Sequence, residues 1–460
     1  VVVVGGGISG LAAAWFLRQG AGERVRVTVL ESSPRIGGKL YASEVAGVSV
    51  DAGAESMLAR RPEGKELAAA VGLAGDLVLP GTLRSSIYSR GTLHALPKAQ
   101  VMGVPADLAE LARSGIISPA GLLRVPLDQI LPATLVRTDV SVAAYIRARM
   151  GGEVVERLIE PLLGGVYAGR SDMLSLEATM PRVAAVARSE RSLLSAARHL
   201  VEEAPKDAGP VFATLRGGIG VLPEAVAKAS GADVRTGVTV RELHRTESGW
   251  RLVTGPVPRP EVIEADAVVV ATPAPAAARL LKEEAPRAAA ELARIDYASM
   301  AVVTLAYPLD AFPEPPATSG YLVPPVEGRP VKAVTFSSVK WPHLASDLVV
   351  LRCSIGRVGE EHLLQREDAE LVSLATAEMA DVMGVRGLPV DTRVTRWGGG
   401  LPQYNVGHLD RVARVRAAVA VQPGLAVCGA AYDGLGIPAC LATARTAAGR
   451  ILDQLDKQGE

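Results

Sequence analysis

Cysteine is scarce: Cys353, Cys428 and Cys440 are the only three in 460 residues. They are too few and too scattered for a disulfide framework or a zinc site. They read as buried, reduced thiols of a cytoplasmic protein, because disulfides persist mainly in oxidising compartments. An excess charge of one sign is also missing, since 49 Lys and Arg balance 49 Asp and Glu. No global field therefore draws the chain to nucleic acid or an anionic membrane, and partners must be read from local sites. Aromatic residues make up only 4%. With Ala, Val, Leu, Gly and Arg abundant, that composition suggests compact α/β packing and says nothing of substrate. No internal repeat or low-complexity tract stands out. The most apolar stretch, "VVVVGGGISGLAAAWFLRQG", reaches its first charge at Arg18. It is shorter than the roughly 20 apolar residues of a spanning helix, and no basic stretch precedes it as in a secretory signal. The chain does not open on Met, so a few leading residues are expected before Val1.

Glycine is what that stretch does have, at Gly5, Gly6, Gly7 and Gly10. Val1 to Val4 reads as a buried parallel strand, and Leu11 to Arg18 continues as a helix. Gly5, Gly7 and Gly10 form G-x-G-x-x-G between them, with Ile8 and Ser9 inside the motif. Gly5 allows the tight turn, Gly7 the close approach of a pyrophosphate and Gly10 the packing of helix on strand. The phosphates then sit at the helix N-terminus. A second strand, "VRVTVL", ends at Glu31, close to the spacing at which an acidic side chain takes ribose hydroxyls. These features imply a dinucleotide site.

Two further clusters extend it. "SSPRIGGKLYA" begins at Ser32, and Arg35 with the glycine pair before Lys39 lets a guanidinium and the amides around Gly38 meet the pyrophosphate from the far side. "VDAGAESMLARRP" follows, where Gly53 and Ala54, ahead of Glu55 and Ser56, are small enough for a flat ring to lie against backbone. Near the C-terminus, "GAAYDGLGIPAC" places glycines before a helix beginning near Ile437. That helix N-terminus, aimed at the pyrimidine side of an isoalloxazine, favours its anionic reduced form.

The order of elements predicts an α/β fold with a discontinuous Rossmann-like dinucleotide-binding domain, a mixed-sheet substrate domain and a mostly helical insertion. The dinucleotide pieces are 1–84, 206–280 and 397–460. The insertion covers 85–205 and is broken by Pro97, Pro105, Pro119, Pro126 and Pro132. The substrate sheet occupies 281–396, where "MAVVTLAYP", "AVTFSSV" and "LVVLRCSIG" alternate as strands. The segments "ADVRTGVTVREL", "WRLVTG" and "EADAVVVATP" also read as strands.

Taken together, the glycine-rich start and the stretches "EPLLGGVYAGRSDMLSLEATMP", "LPQYNVGHLDRV" and "AYDGLGIPAC" resemble the FAD-dependent amine oxidase superfamily. Within it they are most similar to the porphyrinogen oxidases, and the resemblance spans nearly the whole chain. It implies FAD as cofactor, held by Gly5 to Gly10, Glu31, Lys39 and the run Gly53 to Ser56. It also implies that Val238, in a "TGVTV" strand, holds the adenine end through its backbone, and that Trp397, Ala430, Leu435, Gly436 and Ile437 close around the flavin. Trp397 also reads as a core residue. The bacterial type it resembles implies oxidation of coproporphyrinogen III to coproporphyrin III in haem synthesis. Hydride would leave a methylene bridge, and molecular oxygen would regenerate the flavin with release of hydrogen peroxide. Protoporphyrinogen IX is the competing substrate, and a flavin amine oxidase, a carotenoid desaturase and a non-catalytic flavoprotein are further readings.

Such a substrate largely supplies its own electronic push, so the protein is expected to orient it rather than to offer a triad, metal or His base. His94, His199, His244, His343, His362 and His408 are accordingly scattered and read as structural or exposed. Arg61 and Arg60, just beyond the flavin-edge run, are the first candidates for propionate contacts, followed by Arg84, Arg90 and Lys98. An arginine found in some relatives before "HALP" falls near Ser85 here, which departs from their scheme. Glu55 reads as backbone support, with proton handling as the alternative. The insertion "HALPKAQVMGVPADLAELARSG" carries both charge signs and suggests at most peripheral membrane contact.

Overall fold

The run of valines Val2–Val4 is fully enclosed, as an uninterrupted apolar strand requires when helices cover both faces of a parallel sheet. In the computed structural model, which describes residues 1–134, 136–205 and 209–459, this strand is the centre of a five-stranded sheet. The order is Asp233–Arg235, Thr28–Leu30, Val2–Val4, Val268–Val270 and Leu425–Val427, all parallel. Three distant stretches of chain thus build one sheet. The helix Ile8–Ala21 lies on it between the helices Leu222–Ser230 and Ile437–Gly459. Ala12, Ala13, Ala14 and Leu17 of that helix are solvent-free, so its middle is sealed by close helix packing.

"TGVTV" differs from the expected strand. The edge strand ends at Arg235, and residues 236–240 run on outside any strand, with only the Gly237 and Val238 amides donating to the Ser33 and Glu31 carbonyls. Gly237 has φ +71, which a continuing strand does not accommodate.

A second, seven-stranded sheet runs in the order Asp391–Pro402, Tyr297–Pro308, Leu348–Ile355, Val331–Phe336, Gly320–Leu322, Ser86–Ser89 and Thr92–Ala95. Its pairs are antiparallel except Gly320–Leu322 with Ser86–Ser89. Residues 86–95 and 397–402 therefore belong to this sheet rather than to the units in which the sequence places them. The boundary drawn at residue 206 lies outside the described residues. One face of the sheet, with Val303, Leu305, Cys353 and Ile355, is buried against Leu371, Ala375 and Met379 of the helix Asp368–Met383. The other face packs Ala306 and Val350 on Val45 and Val50 and reaches Gly53 and Glu55 through Arg352.

Helices between residues 108 and 202 share one apolar core with Ile87 and Tyr404. At its centre is a fully buried ion pair between Asp128 and Arg149, 2.5 Å from Oδ1 to Nε. Oδ2 of Asp128 accepts from the Ser192 hydroxyl and the Leu194 amide, and Arg149 also donates to the carbonyls of Pro132 and Arg191. Every charged atom is answered, so three chain segments are tied at one point. Removing one partner leaves the other charge buried and alone. Asp128→Ala should weaken the insertion locally by ~3–5 kcal/mol. Faster amide exchange in Val142–Met150 and Leu193–Glu202, with Val2–Val4 unchanged, would be the observation.

Candidate functional site

The first glycine loop leaves the C-terminal end of Val2–Val4. A Cβ on Gly5, whose φ is +112, would lie 2.9 Å from the Ala271 carbonyl oxygen, and one on Gly10 would lie 1.9 Å from the Gly5 carbonyl oxygen. Around the Cβ position of Gly7 there is nothing within 4 Å. Gly5 and Gly10 thus serve the turn and the packing, while Gly7 faces open space. Ile8 and Ser9 begin the helix beyond it, where amide donors lack intrahelical partners.

The second glycine loop docks on the first. The Gly37 amide donates to the Gly6 carbonyl at 2.8 Å, and a Cβ on Gly38 would sit 3.3 Å from the Gly7 α-carbon. The Arg35 guanidinium donates to the carbonyls of Ile36 and Gly38 and stacks 4.2 Å from the Tyr41 ring centroid, which braces this loop. Glu31 joins both loops: its carboxylate accepts from the amides of Gly6 at 2.6 Å and Ser33 at 2.8 Å. Exposed Ser32 lies beside it. The Val238 amide donates to the Glu31 carbonyl, whereas the Val238 carbonyl meets no donor among the described residues. The Lys39 ammonium likewise has no hydrogen-bond or ion-pair partner among the described residues, and burial pushes its pKa down.

From the opposite side come Gly53 to Ser56 and the second sheet. A Cβ on Gly53 would fall 2.0 Å from the Lys39 carbonyl oxygen and 2.9 Å from Cζ2 of Trp397. Trp397 donates its indole N–H to Ala52 at 2.9 Å. Arg352, from the strand Leu348–Ile355, donates to the Gly53 carbonyl at 2.6 Å and to Glu55 at 2.7 Å, and Lys340 pairs with the other Glu55 oxygen. Burial alone would raise the Glu55 carboxyl, but Lys340 and Arg352 outweigh it and hold the pKa near 2. Glu55 is thus an anionic clamp between the two sheets and is poorly suited to shuttling protons. Asp51 accepts from the amides of Ile219 and Gly220, each at 2.9 Å, and burial raises its pKa to about 6.

The C-terminal turn completes the arrangement. Tyr404 donates to the Ala430 carbonyl at 2.7 Å while stacking on His408. Burial lowers the His408 pKa to about 4, so it is neutral at ordinary pH. Leu435 and Gly436 lead into the helix at Ile437, whose Cys440 amide bonds back to Gly436. All three cysteines are free and buried.

The model of a family described as flavin-containing amine oxidoreductase matches residues 8–452. The chain belongs to this family. A protein of Mycobacterium tuberculosis named coproporphyrinogen III oxidase is 40% identical over 99% of this chain and 98% of its own length. A Bacillus subtilis protein of the same name is 33% identical over the same shares. A crystal structure from Exiguobacterium, provisionally named protoporphyrinogen oxidase, superposes with a TM-score of 0.87 at 32% identity, covering 98% of both chains.

The cofactor of this flavoprotein is FAD, and the residues present fit it. The open place beside Gly7, between two glycine loops and a helix N-terminus, is the geometry a diphosphate requires. Glu31 keeps acceptor capacity for a ribose diol after its two amide bonds, and the unused Val238 carbonyl can accept from an adenine amine. Among the described residues no group of three or more His, Cys, Asp or Glu is arranged to hold a metal.

The two leading propionate candidates lie at the surface. Arg61 is paired with Glu63, and Arg60 donates to the Gly209 carbonyl at 3.3 Å. Arg84, Arg90 and Lys98 are exposed as well. The sequence reading passed over Lys340, Arg352 and Lys332, although a charge in the apolar runs "VKAVTF" and "VVLRCSI" is itself a signal.

Two tests follow from these contacts. Gly7→Ala should fold with an unchanged apoprotein thermal midpoint yet lose FAD affinity by about tenfold or more. Gly10→Ala should lower both, as read from flavin-to-protein absorbance and thermal melts. Glu55→Gln removes an acid whose folded pKa lies below its unfolded value. The stability advantage of the parent protein should be constant from neutral pH to about 5, shrink below about 4.5 and vanish near pH 2 in melts of both proteins.

Proposed function

We propose that this flavoprotein oxidises coproporphyrinogen III to coproporphyrin III in haem biosynthesis, with molecular oxygen as acceptor and hydrogen peroxide as by-product. The observation that carries the reading is the 40% identity, end to end, to a protein named coproporphyrinogen III oxidase. Three two-electron steps are needed to take the porphyrinogen to the aromatic macrocycle. FAD supplies acceptance of a hydride at each.

The residues divide this work by position. Gly5, Gly6, Gly7, Ile8, Ser9 and Gly10, with Arg35, Gly38 and Lys39, surround the diphosphate. Glu31 and Ser32 take the ribose and Val238 the adenine. Gly53, Ala54, Glu55 and Ser56 border the ring system on one side, with Trp397 against them. Ala430, Leu435, Gly436 and Ile437 approach from the other side with the dipole of a long helix behind them. Glu55 remains ionised and fixes Arg352 and Lys340 in place, so the wall facing the substrate is held rigid. Orientation, exclusion of water and fixed charge are what the chain contributes.

The reading places the protein in the cytoplasm with at most peripheral membrane contact. No helix among the described residues is long and apolar enough to cross a membrane. A second reading, protoporphyrinogen IX oxidation, is favoured by the provisional name of the Exiguobacterium structure.

Purified FAD-loaded protein mixed anaerobically with coproporphyrinogen III should bleach its flavin absorbance. Admission of air should then restore it, with porphyrin fluorescence and peroxide growing together at three peroxides per porphyrin. Faster turnover of protoporphyrinogen IX would favour the second reading, and bleaching by neither substrate would remove both.

A further inference from the structure

On the sheet face turned toward the flavin-binding unit, one cation has no counter-ion among the described residues. Lys332 lies in the strand Val331–Phe336 and is only 3% exposed. Its ammonium donates to the Gly356 carbonyl at 2.8 Å and stands 4.0 Å from the Met300 sulfur. No carboxylate reaches it among the described residues. The acid nearest in charge influence, Glu360, is held by Arg357 through both oxygens at 3.0 Å. Arg357, itself buried, adds a like charge nearby. A desolvated ammonium in this condition is unfavourable, and burial with the Arg357 charge lowers its pKa to about 7.

The position of Lys332 is also unusual. The pairing of its strand with Leu348–Ile355 slips between Val331 and Ala333, a bulge of the kind that re-aims a side chain. Neighbouring Ala333, Thr335, Ser354 and Met300 are only half-buried, whereas the opposite face of the same strands is sealed. Met300 is the cross-strand partner of Trp397, and Trp397 lies against Gly53 at the flavin edge. The unpaired ammonium is therefore one residue removed from the wall on which a flat substrate would lie.

We propose that Lys332 is a carboxylate anchor of the substrate site, receiving one propionate of the porphyrinogen and setting preference for the more highly carboxylated macrocycle. This rests on the porphyrinogen reading above. An arriving carboxylate provides the missing counter-charge, raises the ammonium's pKa and locks it in the protonated form. Two hydrogens remain on the nitrogen after the Gly356 bond, enough for a carboxylate. Arg60 and Arg61, both at the surface, then have no part in this contact.

The test uses the FAD-loaded full chain and its Lys332→Met variant. Equilibrium binding of coproporphyrin III and of its tetramethyl ester is read by porphyrin fluorescence, and kcat and KM are measured for coproporphyrinogen III. Lys332→Met should weaken binding of the acid by about tenfold or more and that of the ester by less than about twofold. KM should rise while kcat changes little. The thermal midpoint and flavin spectrum should be preserved, because an uncompensated buried charge has been removed; Lys332→Gln serves if the thioether repacks the site. Equal effects on acid and ester, or a fall in kcat with KM unchanged, would overturn the anchor. Absence of porphyrinogen turnover by the unaltered enzyme would instead remove the substrate reading, and the anchor with it.

Discussion

Everything at the cofactor site depends on how closely a helix can approach a strand. The Cβ that Gly10 lacks would fall 1.9 Å from the Gly5 carbonyl oxygen, so any side chain there lifts the helix Ile8–Ala21 off the sheet. With the helix seated, its first amides face the place left open by Gly7. The second glycine loop can then close on the first through Gly37 and Gly6. Glu31 is satisfied by amides from both sides of that junction only when the loops are in register. One steric allowance thus sets the seating of both glycine loops and the place of Glu31 between them.

The segment from Gly53 to Ser56 is fixed by a different force. Gly53 and Glu55 come from one end of the chain, Arg352 from the second sheet and Lys340 from the short helix Ser337–Lys340, and the resulting clamp is charged and largely desolvated. Such a cluster specifies geometry more than it adds stability, since both sides must be present for either to be tolerated. Trp397 supplements it through a hydrogen bond to Ala52 and contact with Gly53. The same sheet face that holds Gly53 and Glu55 carries Met300 and Lys332, so in the proposed function cofactor placement and substrate contact would share one rigid wall.

The glycine cradle was legible because each part of it is local: glycines, a strand and a helix start all lie within a few residues. The small residues of the close approach at Gly53 and the helix at Ile437 were legible for the same reason. Val238 was placed in a strand because "TGVTV" alternates suitably, yet Gly237 at φ +71 ends the pairing first. The extent of the second sheet was hidden, because Ser86–Ser89 finds its partner at Gly320–Leu322 across more than two hundred residues of chain. No local pattern reports such pairings. For the same reason Arg60 and Arg61 drew attention as propionate candidates by sequence proximity to Gly53 to Ser56, while Arg352, nearly 300 residues distant, is the arginine that bonds the Gly53 carbonyl and Glu55.

The parallel sheet takes its strands from residues 2–4, 28–30, 233–235, 268–270 and 425–427, and the helix that completes the cradle runs from Ile437 to Gly459. During synthesis, then, the first glycine loop leaves the ribosome some four hundred residues before the strand and helix that close its far side. Until those emerge, the edge of Val268–Val270 is an open row of amides and carbonyls flanked by apolar side chains. The far side of the first glycine loop therefore cannot be built until both Leu425–Val427 and Ile437–Gly459 have emerged, so the sheet folds around its oldest strand only after its youngest is made.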